Sequence, residues 1–241
     1  MGKDKSKKRF LVEASSILGY ELVLNKERKI EREKEKKKNC QYLNMLFKNG
    51  LALEHVRDQT EEICIAAVTQ NGYALEWVRN QTEEICIAAV RQNGHALQYA
   101  KDRTEKTCIA AVKRDGMALQ FVEDKTEEIC MAAVIQAGRA LEYVEIQTEA
   151  ICLAAVMQTI DALEWVRNQT PQMCMIAVTQ DGNTLKHIKK QTKKICMAAV
   201  TQEGYALWYV KNQTPQICIA AIKQNKNADQ YIQLDRYLFQ K

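Results

Sequence analysis

Proline is nearly missing from this 241-residue sequence, which holds only Pro171 and Pro215. Histidine is almost as scarce, at three: His55, His95 and His187. Catalysis needs a nucleophile with its base, paired carboxylates or a metal cluster converging on one point, and three scattered imidazoles offer little toward that. The glycines stand singly, and none has the strand-then-helix setting of a phosphate loop or dinucleotide site, so neither an enzyme nor a cofactor is expected. Apolar runs are short as well. None approaches the roughly 18 uncharged residues of a membrane span, and Glu13 and Glu21 interrupt the stretch that follows the basic start, so it does not read as a secretory signal.

What the sequence has in abundance is repetition. Cysteine falls at 64, 86, 108, 130, 152, 174, 196 and 218, and threonine at 60, 82, 104, 126, 148, 170, 192 and 214, a period of 22 residues without insertion or deletion. Within the period, alanine holds the positions of Ala67 and Ala89 in all eight copies. Glutamine recurs in the row of Gln70 with Arg114 as the exception, and glycine recurs in the row of Gly72 and Gly94 but yields to Ile160 and Lys226. "LFKNGLALEHVRDQ", Leu46 to Gln59, extends the pattern upstream, so a degenerate first unit is expected from near Cys40.

Each unit reads as two short helices. Thr60 and Thr82 stand where N-caps belong, with glutamates in the first turn after them. Both prolines occupy the first helical position, where a missing N–H costs nothing. Gly72 and Gly94 follow the apolar run, where a left-handed residue is expected to end the helix. "YALEWVRN" then places Ala74, Leu75 and Val78, and in the next copy Leu97, at helical spacing. A leucine-rich repeat has units of similar length, but Ala66 and Ala67 are poor strand residues, and the Asn71 position becomes Ala137, Thr159 or Glu203, which breaks any asparagine ladder. The fold class expected is therefore all-α: an α-solenoid of helix-turn-helix repeats with about eight full copies and degenerate ends. One unit cannot hide its own apolar face, and the stack can.

The cysteines do not read as bridges or ligands. Equivalent residues on stacked helices lie about 8–10 Å apart, beyond the roughly 7 Å a disulfide spans, and no unit pairs its cysteine with a second ligand. Cys64, Cys86 and their equivalents are expected as small buried thiols, which suits a reducing, intracellular compartment such as the cytoplasm.

Residues 1–40 hold 13 Lys and Arg against 7 Asp and Glu, whereas residues 41–241 hold 22 against 23. The organisation expected is a basic N-terminal extension over 1–40 with a capping element at 10–24, a repeat array over 41–235, and a tail over 236–241. A membrane role follows only if Gly2, in "MGKDKS", is acylated. The neutral array is a poor sequence-independent binder of nucleic acid, with one local exception in Lys186, Lys189, Lys190, Lys193 and Lys194. The row His55, Trp77, Tyr99, Phe121, Tyr143, Trp165, His187, Tyr209, Tyr231 is expected to pack between units rather than to form an exposed ladder for peptide or bases. The Gln70 row is expected to hydrogen-bond to the turn.

The unit "ALEWVRNQTEEICIAAVTQNGY" resembles the helical repeat catalogued as domain of unknown function 4116, which is abundant in giant DNA viruses of amoebae. The likeness rests on Leu75 to Val78, Gln81-Thr82, Ile85 to Val90 and Gln92 to Gly94, and extends over about residues 46–233. That resemblance implies a viral source and no established activity. The expectation for function is a scaffold binding another protein or peptide through exposed positions that vary between copies, such as Glu76, Gln98, Lys186 and Trp208. The alternative is a nucleic-acid-binding module using Lys186 to Lys194 and the basic N-terminus.

Overall fold

The computed structural model describes the backbone of residues 3–233, and the side chains from residue 25 onward apart from residue 27. Residues 10–24 are helical as part of α1, but the side chains that would carry their expected capping role are outside the description, as are Gly2 and the tail 236–241. Among those described, nine α-helices alternate with nine 3-10 segments and no strand is present. The order is α1 (Lys3–Lys48), η1 (Gly50–His55), α2 (Glu61–Gln70), η2 (Gly72–Trp77), α3 (Glu83–Gln92), η3 (Gly94–Tyr99), α4 (Glu105–Arg114), η4 (Gly116–Phe121), α5 (Glu127–Gln136) and η5 (Gly138–Tyr143). It continues with α6 (Glu149–Gln158), η6 (Ile160–Glu164), α7 (Pro171–Gln180), η7 (Gly182–His187), α8 (Lys193–Gln202), η8 (Gly204–Tyr209), α9 (Pro215–Gln224) and η9 (Lys226–Tyr231). Helices pack on helices and 3-10 segments on 3-10 segments, each against the next copy, so the array is an all-α solenoid of two layers with the core between them.

Each α-helix starts as its sequence dictates. Thr60 is extended and its Oγ1 accepts from Ile63 N at 3.4 Å, and Thr82 does the same for Ile85 at 3.3 Å. Pro171 and Pro215 stand in the first turns of α7 and α9. From α2 to α8 the residues equivalent to Ile63, Cys64, Ala67 and Val68 are buried, while Ile65 and Ala66 are half-buried; in the last helix, α9, Ile222 is half-buried. Ala74, Leu75 and Val78 close the core from the other side, each at most 2 % exposed.

Two expectations are corrected. The second segment of the unit is a six-residue 3-10 helix, because its bonds close over three residues, Ala74 N to Asn71 O at 2.9 Å and Val78 N to Leu75 O at 3.1 Å. Val78 is already extended and buries its side chain as the chain leaves the segment. The glycines are not left-handed either: no described residue has positive φ. Asn71, at φ −146 and ψ 112, ends the α-helix, and its Oδ1 accepts from Tyr73 N at 3.1 Å to start the 3-10 segment. Glycine follows because the next copy leaves no room: a Cβ on Gly72 would sit 2.6 Å from Ala89 O, and one on Gly116 2.4 Å from Ala133 O.

Ile160 breaks that rule, and the stack shows it. Its side chain stands where other copies admit only hydrogen, η6 is one residue shorter than its equivalents, and α6 and α7 pack more loosely than any other neighbouring pair of helices.

Candidate interaction surfaces

Two rows of glutamines join each copy to the next. Gln70 and Gln92 bond to the turn as expected, but to the turn of the preceding unit: Gln70 Oε1 accepts from Gly50 N, and Gln92 Oε1 from Gly72 N, each at 2.7 Å. The second row was not anticipated. Gln81 Nε2 donates to Leu75 O at 3.1 Å and to Tyr99 O at 3.0 Å, while its Oε1 accepts from Lys101 N at 2.9 Å. One side chain thereby satisfies three backbone groups on two units. Gln147, Gln169, Gln191 and Gln213 repeat the contacts.

Arg103 and Lys125 replace this glutamine in two copies, and there the residue twenty positions on changes from a cation to Glu123 or Glu145. Arg103 pairs with Glu123, and Lys125 Nζ lies 3.3 Å from Glu145. Where glutamine is kept, the corresponding cation bonds the preceding unit's backbone instead, as Arg79 does with Arg57 O at 2.7 Å and Arg167 with Glu145 O at 2.6 Å. This paired exchange inside one chain was legible in the sequence.

The eight repeat cysteines are buried and unbridged, and Cys40 is exposed. Cys86 Sγ points at Gln81 Oε1, 3.8 Å away, and in the units of Arg103 and Lys125 the thiol turns to a backbone carbonyl. Burial raises each of these thiols above its ordinary pKa, so they stay protonated and are weak nucleophiles at neutral pH. Their position is structural: a compact apolar group with a weak donor toward the glutamine that joins the units.

On the 3-10 layer, Leu75 and Leu97 point inward, and the residue after each is exposed in every copy: Glu54, Glu76, Gln98, Gln120, Glu142, Glu164, Lys186, Trp208 and Gln230. The aromatic row beside this stripe is tied down. Trp77, Tyr99, Phe121 and Tyr143 are half-buried against the core, and Tyr99 meets Tyr73 edge to face at 6.0 Å. Trp208 is 57 % exposed and rests one edge on Tyr231 at 5.3 Å.

The candidate residues therefore divide between two surfaces. Lys186 and Trp208 share the outer stripe, whereas Lys189, Lys190, Lys193 and Lys194 lie on a ledge formed by the helix starts and the turns before them. Clefts open along this ledge between successive helix starts. That between α7 and α8 is about 500 Å³ and is bordered by Arg167, Pro171, Lys189 and Lys190. The equivalent clefts, about 290 and 320 Å³, carry Glu61 and Glu105 in place of the proline. Lys193 bonds Gln216 and Lys189 bonds Val166 O at 2.9 Å, but among the described residues no carboxylate pairs with any of the five lysines.

The comparison with protein families falls on this geometry. Residues 62–103 match the family model described as a domain of unknown function (DUF4116). The DUF4116 stretch runs from α2 through η3 into the following turn, and so contains the Gln81 joint, two α-helices and two 3-10 segments. No curated protein and no solved structure matches the chain. No described helix is long and apolar enough to cross a membrane.

Proposed function

We propose that the chain is a non-enzymatic repeat scaffold that binds another protein or peptide along the outer stripe. The observation that carries this reading is the contrast within one layer. Leu75, Leu97 and their equivalents hold the frame constant, while the next residue, always exposed, changes from glutamate to glutamine, lysine and tryptophan. Folding does not require that variation. Tryptophan is among the residue types that most often dominate binding energy, and Trp208 stands on an edge fixed by Tyr231. Buried free thiols favour a reducing compartment, the cytoplasm of the cell or of an infected host, and the DUF4116 likeness favours a giant DNA virus of amoebae as source.

A second reading, binding of nucleic acid, is favoured by the lysines of the α8 ledge, which pair with no carboxylate among the described residues. Salt separates the two, because phosphate contacts release counterions and weaken steeply between about 50 and 200 mM salt. Anisotropy of labelled single- and double-stranded oligonucleotides with the full chain is expected to show, at most, weak binding that vanishes by about 200 mM. Tight binding with a steep salt slope would replace the scaffold reading by the second.

A further inference from the structure

The neutrality of the array conceals a division. Residues 41–165 hold 11 Lys and Arg against 19 Asp and Glu, and residues 166–241 hold 11 against 4. On the ledge the reversal is position by position. Glu123, Asp124, Glu127 and Glu128 at the start of α5 correspond, three periods on, to Lys189, Lys190, Lys193 and Lys194 at the start of α8. All eight are exposed. The lysines of the α8 first turn oppose the helix dipole, which favours anions there, and the one bond they make within the fold is that of Lys193 to Gln216 on the exposed surface.

We propose that the ledge recognises a second copy of the chain, the four cations of α8 lying against the four carboxylates of α5 about a two-fold axis between α6 and α7. In a two-fold interface each contact occurs twice. An axis at that place sets α8 opposite α5 and α7 opposite α6, where Arg167 meets Glu145 and Glu149. The sign reversal also decides against a polyphosphate. A strand following the ledge would leave the basic start of α8, flanked by the uncharged first turns of α7 and α9, for five helix starts that carry glutamates. A partner whose own charge reverses along its length matches the ledge from α4 to α9, and this chain is such a partner. Glu123 already pairs with Arg103, but at 81 % side-chain exposure it still faces out. The inference is independent of what binds the outer stripe.

The test is sedimentation equilibrium of the full chain at about 50 and 500 mM salt, since a Debye length of only a few ångströms screens exposed charges at the higher value. Expected is a dimer at low salt that dissociates at high salt. Lys193→Glu/Lys194→Glu and Glu127→Lys/Glu128→Lys should each weaken association at least tenfold. An equimolar mixture of the two variants should restore it, because one contact is then native and at the other the exchanged residues again face opposite charges. Circular dichroism of each variant establishes that it is folded. A monomer at low salt up to about 100 μM, a dimer indifferent to both variants, or a mixture no tighter than its components would overturn the proposal.

Discussion

At the scale of single residues, the chain spends its polar side chains on joints between copies. Gln81 bridges two carbonyls, of which Leu75 O also accepts from Val78 N, and the amide of Lys101. Gln81→Leu leaves Tyr99 O and Lys101 N without this partner, and an unsatisfied buried polar group costs about 1–3 kcal/mol; urea denaturation should show a loss of about 1–3 kcal/mol. A loss near zero would mean that water replaces the side chain. The thiols give a second, pH-dependent expectation. Burial raises their folded pKa above the ordinary 9.0, so below that value folded and unfolded chains are equally protonated and the stabilisation is complete. As pH rises past about 9 the unfolded chain ionises first, and stability is lost progressively as pH climbs through the folded value. The melting temperature should be level from about pH 7 to 8 and lower at about pH 9.5. In the native chain a thiol reagent should titrate Cys40 alone among nine cysteines, and all nine after denaturation.

At the scale of elements, the unit is an α-helix and a 3-10 segment sharing one polar residue, Asn71, at their junction. Glycine follows because a neighbour's carbonyl fills the space of a side chain. Gly116→Ala places a Cβ against Ala133 O, and overpacking of this kind costs about 1–3 kcal/mol; calorimetry should register a clear fall in melting temperature. The natural exception makes the same point. Gly138 N is held by Gln158 at 2.7 Å and Gly182 N by Gln202 at 2.7 Å, whereas Ile160 N has no such bond to Gln180 among the described contacts. Ile160 N–H is therefore expected to exchange with deuterium faster than Gly138 or Gly182 N–H, and equal protection would show an unbroken stack. The period, the threonine caps, the proline positions and the inward row of Cys64, Ala67 and Leu75 were all legible in the sequence, because each is a local rule repeated eight times. The 3-10 geometry and the reason for glycine were not. Both depend on a surface 17 to 22 residues away, and a left-handed cap is the commoner use of glycine at a helix end.

At the scale of the whole molecule, the frame and its surfaces separate cleanly. The α1 helix runs through residue 40 without a break, roughly 70 Å at 1.5 Å per residue, and its last turns bury Leu46 to begin the core. Beyond it, the outer stripe varies chemically from copy to copy while the ledge changes sign between α6 and α7. The candidate site was legible only in part. The lysine cluster and its acidic counterpart three periods earlier, at Glu123 to Glu128, were both legible in the sequence, but the division of the lysines between stripe and ledge required the two layers. The most direct test of the scaffold reading is affinity capture from the cell in which the chain is naturally made, with nuclease present, comparing the native chain with Lys186→Ala/Trp208→Ala. The account predicts a protein partner that survives nuclease and is lost from the stripe variant while the ledge is untouched. Recovery of nucleic acid alone, or of the same proteins with both chains, would contradict it.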